Sequence, residues 1–309
     1  MVQIKLNQAL LDKHILKIVP KIKVNIAAIG REGLSDETVN CLNHLDNEKE
    51  IQNLLSANSF QLKLYIAFFQ DKYPTSIGMA NQKKEDWNEL YKILRENIFE
   101  QEYKNWGTRT TYGAYAFVET LGLKSCPYCN RNYTFTVNNK NGKLRPEIDH
   151  FYPKSVYPFL AMSFYNLIPS CQICNHTKSS KVKENLENPY DMKEGSYRFT
   201  YIPNSIDFTA IENEKYNFAN FEIDINGNEG NIKLFKLEEL YRQHKDVVLE
   251  LLIKKVYYPE SYIKELEGFG FAKDEIYRYL FSNYNQEEDF HKRPLSKLIK
   301  DISEELGLT

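Results

Sequence analysis

The chain has 309 residues, of which 42% are apolar and 27% charged, and its formal net charge is −2. This composition is typical of a globular protein, and the length allows one large domain or two ordinary ones. It excludes disorder of the whole chain and gives no global basic field of the kind that nucleic-acid binders usually have, so any phosphate contacts must be local. No run of about 18 apolar residues and no secretory signal pattern is present, so we expect a cytoplasmic protein with no membrane partner.

The first ~120 residues have the apolar periodicity of helices. The clearest segment is 84–106, where apolar side chains recur at helical spacing before Gly107. Gly122 predicts a further helix stop, and Cys41 is expected to be a small core side chain. Other predicted helices cover Leu10–Ile18, a run opened by Ser35, and Ile51–Phe69.

The middle of the chain changes character after Gly122. Tyr133, Phe135 and Val137 alternate with polar residues and precede the turn-forming residues 138–142, which predicts a hairpin. Past residue 158 the pattern predicts helix again. The segments expected to be helical are Ala161–Asn166 and Ser170–Lys181.

The last third begins with a region of strand and loop over about 190–232. Residues 197–201 and 221–225 are predicted strands, and 226–228 a turn. The remaining sequence again has helical periodicity. The predicted helices are 237–252, 273–284 and Leu295–Leu306, the last one starting after Pro294.

Four of the five cysteines form two Cys-x-x-Cys pairs with 41 residues between them. Four thiolates satisfy the tetrahedral preference of a structural Zn²⁺ site, and no thioredoxin-like pattern surrounds either pair. The alternative is that they are four unliganded core cysteines. We expect a zinc site formed by Cys126, Cys129, Cys171 and Cys174.

Between and beside these pairs lie three short motifs. They are Glu147-Ile148-Asp149-His150, Asn166-Leu167 and Cys174-Asn175-His176-Thr177-Lys178. With the first cysteine pair, this combination resembles the HNH family of ββα-metal nucleases. The resemblance implies an α+β, mostly helical protein in which a central zinc-stabilised ββα-metal module is flanked by N- and C-terminal helical regions. The expected regions are 1–118, 119–190 and 191–309.

An HNH nuclease hydrolyses phosphodiester bonds of nucleic acid, here with DNA as the expected substrate. Histidine is an efficient general base near neutral pH, which makes His150 the candidate base. Asp149 is the candidate ligand of a catalytic Mg²⁺ or Mn²⁺ ion, which would lower the cost of charge on the phosphate and the departing oxygen. The resemblance implies that Asn175 is the second ligand, with His176 as the alternative, and that Asn166 orients the catalytic loop.

Four basic residues are candidates for the local phosphate-facing surface that the net charge does not provide. Singly, each is as readily explained as a solvated surface charge. They are Arg145, Lys154, Lys178 and Lys181.

A narrower resemblance rests on residues 148–155, 157–158, 166–171 and 293–298. These stretches are similar to the PtuB-like HNH nucleases of Septu-type anti-phage systems, which also occur in some retron defence operons. That similarity implies a separate SMC/ABC-type ATPase subunit as partner, since this sequence contains no phosphate-binding Gly-x-x-x-x-Gly-Lys-Ser/Thr loop. The alternative is a catalytically inactive, zinc-stabilised nucleic-acid-binding or adaptor protein.

Overall fold

The computed structural model of the protein describes residues 1–79, 81–181, 185–203 and 221–308. These residues are mostly helical, as expected, and contain small two-stranded antiparallel sheets. Within this part of the chain, no helix combines the length and the apolar content needed to cross a membrane.

The chain forms two compact units, each made of stretches that are distant in sequence. The first unit comprises Met1–Ile4, Lys124–Tyr133 and Glu184–Thr309, and the second comprises Lys5–Leu123 and Thr134–Lys183. The regions expected from the sequence, 1–118, 119–190 and 191–309, follow one another along the chain. Each of the two observed units instead combines separate stretches of the chain.

The second unit consists largely of helices and carries two small sheets. Its helices are α1 (Gln8–Ala27), α2 (Asp36–Leu45), α3 (Glu48–Ser56), α4 (Ser59–Lys72), α5 (Glu89–Ile93), α6 (Phe99–Thr108), α7 (Ala114–Leu121) and α8 (Gln172–Lys178). Strand β1 (Val137–Asn139) pairs with β2 (Gly142–Leu144), and β3 (Glu147–His150) pairs with β4 (Leu167–Ser170).

Several helix boundaries follow from local chemistry that the sequence already displays. The Ser35 side chain accepts a hydrogen bond from the backbone of Thr38 and caps α2, which begins where the sequence predicts a helix to open. Gly122 ends α7 in the left-handed conformation, with φ of 67°, which a residue without a Cβ adopts at little cost. The helix predicted at 84–106 is observed as a run over 89–108, in which a π-helical turn at Leu94–Ile98 joins α5 to α6.

The prediction of a helix at Ala161–Asn166 is wrong. The chain instead makes short 3₁₀ turns at Pro158–Leu160 and Phe164–Asn166 and then enters β4. Every residue of β4 is buried, so its apolar run has no polar face from which a strand period could be read.

The described part of the first unit contains a two-stranded sheet and several helices. Strand β5 (Arg198–Pro203) pairs with β6 (Phe221–Asn226), which confirms both predicted strands; residues 204–220 of the expected strand-and-loop region lie outside the described residues. Its helices are α9 (Glu229–Phe235), α10 (Leu237–Tyr241), α11 (Lys245–Tyr257), α12 (Glu260–Gly268), α13 (Lys273–Phe281) and α14 (Ser296–Glu305). The single helix predicted at 237–252 is interrupted by a 3₁₀ turn at Arg242–His244.

Buried Asn130 connects the first cysteine pair to the C-terminal stretch of this unit. Its amide nitrogen donates to the carbonyl oxygens of Phe290 and Arg293, and its side-chain oxygen accepts from the backbone of Lys297. Residues 293–298 are among those that resemble PtuB-like proteins. The bonds from Asn130 to Arg293 and Lys297 show that this stretch supports the turn of the first cysteine pair.

His14 is a fully buried histidine in the core of the second unit. Its Nδ1 lies 3.0 Å from the hydroxyl of Tyr112 and its Nε2 lies 2.8 Å from the carbonyl oxygen of Met162. Burial lowers the pKa of His14 to about 4, against a smaller opposing effect of the Met162 hydrogen bond. The imidazole is therefore neutral in the folded protein at neutral pH.

This depressed pKa predicts a pH-dependent stability. Between pH 6.5 and 4 the unfolded chain protonates this histidine while the folded chain does not, so the contribution of His14 is present above pH 6.5 and is lost as pH falls through that window. The loss amounts to at most about 3 kcal/mol. His14→Gln should flatten the pH dependence of the free energy of unfolding, measured in urea. His176→Gln, at an exposed histidine, is the control and should leave it unchanged.

Candidate active site and cysteine cluster

The four paired cysteines are brought together as the sequence predicts. Their Sγ atoms all lie within 4.8 Å of one another, and all four residues are buried. Sulfurs around a tetrahedral Zn²⁺ with bonds of about 2.3 Å are roughly 3.8 Å apart, so this cluster could bind zinc. Cys41 is buried elsewhere in the second unit, on α2, as expected for a core side chain.

The turn at the first pair has the hydrogen bonds of a metal-binding knuckle. The backbone of Asn130 donates to the Cys126 carbonyl at 2.7 Å, which closes the turn. The backbone N–H of Arg131 then donates to Cys129 Sγ at 3.4 Å. Of the second pair, Cys171 caps α8 and Cys174 lies in its first turn.

Replacing a cysteine of this cluster should remove both metal and stability. Cys126→Ser or Cys174→Ser takes away one thiolate, and binding free energy at such a site is also folding free energy. We expect bound zinc to fall well below one ion per chain and the free energy of unfolding to fall by more than about 3 kcal/mol. Metal content by mass spectrometry and thermal unfolding measure the two effects. The control is Cys41→Ala, which should retain its zinc, and a cluster variant that keeps its zinc and stability would contradict the assignment.

The remaining candidate residues surround a cleft of about 520 Å³ in the second unit. Most of the lining comes from β3, from the loop after it and from α8. The lining residues that carry the argument are Arg145, Glu147, Asp149, His150, Lys154 and Asn175. His176 also lines the cleft, whereas Asn166, Lys178 and Lys181 do not.

Two side chains of β3 pair with two side chains of α8. Glu147 and Asp149 are two residues apart and so share a face of the strand, while Asn175 and Lys178 are three apart and share a face of the helix. The Asn175 amide nitrogen donates to Glu147 Oε2 at 2.6 Å, and Lys178 Nζ lies 3.1 Å from both carboxylate oxygens of Asp149. Helix α8 therefore packs along β3, with one contact at Glu147 and another at Asp149.

The Lys178–Asp149 pair is buried. The lysine side chain is fully inaccessible and the aspartate side chain is 4% exposed. The ammonium also donates to the His150 carbonyl oxygen at 2.6 Å. Removing one partner of such a pair generally costs about 3–5 kcal/mol, because the other charge is left uncompensated.

His150 extends from the opposite face of β3 to Asp149 and yet lines the same cleft. Its Nε2 lies 3.0 Å from the carbonyl oxygen of Ala161, and since a carbonyl only accepts, Nε2 carries the proton and Nδ1 is the basic nitrogen. Burial, and to a smaller extent the charges of Lys154 and Lys178, lowers the pKa of His150 to about 3, although the hydrogen bond to Ala161 opposes this shift. The imidazole is thus neutral.

The loop that follows β3 is held by hydrogen bonds to three consecutive carbonyl groups. Asn166 donates to the carbonyl of Leu160, His150 to that of Ala161, and His14 to that of Met162. Asn166 also accepts from the Tyr152 N–H at 2.6 Å and donates to the Tyr152 carbonyl at 3.0 Å. Buried Asn166 thus lies outside the cleft lining, where its hydrogen bonds fix the loop.

The four basic candidates are distributed unevenly. Arg145 and Lys154 line the cleft, and Lys154 also pairs with Glu100 at 3.3 Å. Lys181 is exposed outside the cleft lining, with its ammonium on the Thr177 carbonyl. The sequence suggested that Lys178 faces phosphate. In the structure its ammonium is instead buried and forms an ion pair with Asp149.

Sequence reasoning gave no role to Glu147 and Tyr103. The Glu147 carboxylate accepts from Asn175, and its Oε1 lies 3.6 Å from His176 Nε2. The sequence signal that could have identified Glu147 is its position two residues before Asp149, because residues at that spacing share a face of a strand. The Tyr103 ring packs edge-on against the His150 ring at 4.6 Å, and burial raises the pKa of Tyr103 to about 12. No local pattern points from α6 to this contact.

The chain is similar in part to one curated protein. Over 45 residues it is 44% identical to the Septu protein PtuB of Bacillus thuringiensis, a stretch that covers 14% of this chain and 18% of that relative. No protein-family model and no solved structure matches the chain.

Proposed function

We propose that the protein is a metal-dependent HNH-type endonuclease that hydrolyses phosphodiester bonds of nucleic acid. The observation that supports this most strongly is the position of His150 in the cleft. Its protonated Nε2 is fixed on the Ala161 carbonyl, so that Nδ1 is left as a base beside a cluster of oxygen donors. A neutral, oriented imidazole is what a general base for water requires.

The low pKa of free His150 is compatible with this role. Burial and two nearby lysines disfavour the protonated imidazole in the free protein. A bound phosphodiester adds negative charge to the cleft, which raises the pKa of a neighbouring base. The divalent ion proposed below opposes that rise, and the neutral imidazole need not lose a proton before it accepts one from water.

The oxygen donors of the cleft suit a hard divalent cation such as Mg²⁺ or Mn²⁺. Asp149 and Asn175 would hold it, and such an ion stabilises negative charge on the phosphate and the departing oxygen. Because the Asn175 amide nitrogen donates to Glu147, the amide is oriented and its oxygen remains as a ligand atom. A carboxylate has about four acceptor sites, so the ion pair with Lys178 does not exhaust Asp149.

The other candidates would support these residues. Asn166 would act as a positioning residue, through its bonds to Tyr152 and Leu160. Arg145 and Lys154 would face the phosphate from the cleft wall. Lys178 would hold Asp149 in place, in contrast to the phosphate contact expected from the sequence.

Replacement of the proposed base tests the assignment directly. His150→Ala should lower the rate of DNA cleavage with Mg²⁺ or Mn²⁺ by about 10²- to 10⁴-fold, because proton transfer from water is lost. Circular dichroism and zinc content should stay at the wild-type level. His44→Ala, on α2, is the control variant and should cut normally.

Retained cutting by His150→Ala would reject His150 as the base. A wild-type protein that binds DNA but never cuts it with either ion would instead favour the alternative, a zinc-stabilised binding or adaptor protein.

Two neighbouring residues compete for the second ligand position. Asn175→Ala should raise the Mg²⁺ concentration needed for half-maximal cleavage by about tenfold or more, since an oxygen ligand is removed. His176→Ala, at a side chain that is 65% exposed, should change that concentration little. A titration of cleavage rate against Mg²⁺ for both variants measures this, and the reverse result would exchange the two roles.

We further propose a role in anti-phage defence together with a separate SMC/ABC-type ATPase subunit. The support is the partial similarity to the Septu protein PtuB. Copurification of an ATPase encoded beside this chain tests the partnership.

A further inference from the structure

The sequence between the last helix before the cleft and β3 is strongly cationic. From residue 120 to residue 146 there is no acidic residue, whereas the full chain has a net charge of −2. The basic residues of this stretch are Lys124, Arg131, Lys140, Lys143 and Arg145. Positive charge is thus concentrated in the stretch of sequence that precedes β3.

Three of these cations lie on or directly after the hairpin of β1 and β2. Every residue of both strands is exposed, so neither face of the hairpin packs against the core. It also presents apolar side chains to solvent, with Val137 40% and Leu144 61% exposed. Lys140 and Lys143 are exposed in the same hairpin, so both ammonium groups are open to an anion from solution.

The cations at the end of β2 lie two residues apart in the chain and share one aromatic neighbour. Lys143 Nζ lies 5.8 Å and the Arg145 guanidinium carbon 5.6 Å from the centre of the same Tyr115 ring. None of Lys140, Lys143 and Arg145 pairs with a carboxylate in the part of the chain that the structure describes. Two neighbouring positive charges repel, and an anion between or beside them would relieve this repulsion.

Arg145 makes the hairpin continuous with the candidate active site. It belongs to the β2 end of the hairpin and also lines the cleft with Asp149 and His150. A polyanion that follows the cations of the hairpin would therefore reach the proposed base.

We propose that this hairpin, residues 137–145, docks the sugar–phosphate backbone of a DNA duplex and leads it into the cleft. The inference rests on the proposed nuclease function and names the surface by which that function takes its substrate. Lysine and arginine contacts to phosphates give affinity without sequence readout. The Tyr115 ring is the shared neighbour of Lys143 and Arg145 in this surface.

The test uses the full chain with Lys140→Gln and Lys143→Gln combined, since neither residue lines the cleft. Binding to a fluorescein-labelled 30-base-pair duplex is followed by anisotropy at several KCl concentrations without added divalent cation. We expect the Kd to rise roughly tenfold and the slope of log affinity against log salt to fall by about 2, because each phosphate contact contributes about 0.9. Lys17→Gln with Lys21→Gln, two exposed lysines of α1, makes the same charge change and should leave both unchanged.

The outcomes separate this inference from the proposed function. Unchanged affinity and slope in the hairpin variant, or an equal loss in the α1 variant, would overturn the docking surface even if the wild-type protein cuts DNA. A hairpin-specific loss of binding in a protein that never cuts DNA would leave the docking surface standing and reject the nuclease. Absence of duplex binding by the wild-type protein would also overturn the docking surface.

Discussion

A buried positive charge must be compensated, and the arrangement of the cleft depends on how Lys178 meets this requirement. Its ammonium lies between both oxygens of Asp149 and the carbonyl of His150, with no access to solvent. This pair fixes α8 against β3 and thereby sets Asn175, one turn earlier, beside Glu147. The ion pair and the Asn175–Glu147 hydrogen bond together bring these oxygen donors to the cleft.

The opposite face of β3 is fixed by neutral hydrogen bonds. His150 and Asn166 donate to successive carbonyl groups of the loop at 160–161, and His14 from α1 donates to the next. Because a carbonyl cannot donate, this network also selects the imidazole tautomer. The long N-terminal helix, which has no motif of its own, therefore contributes to the geometry of the proposed base.

Local sequence patterns determined the features that depend on local chemistry. The helix start at Ser35 and the stop at Gly122 each need only neighbouring residues, and each was predicted. A hairpin was also predicted, but its strands at 137–139 and 142–144 include most of the residues that were assigned to the turn. Patterns failed where burial is complete, as at β4, which was assigned no strand. They also failed to separate helix from π-helical or 3₁₀ turns, since a segment of three to five residues is too short for its period to be read.

The sequence by itself determined which residues could carry chemistry, because spacing alone pairs the cysteines and places Asp149 next to His150. Tertiary structure decided what each group faces. It buried the ammonium of Lys178, which the sequence had suggested for phosphate, and it brought Glu147 to Asn175. A charge in a sequence carries no information about its solvation, which is fixed only when Lys178 and Asp149, 29 residues apart in the chain, come into contact.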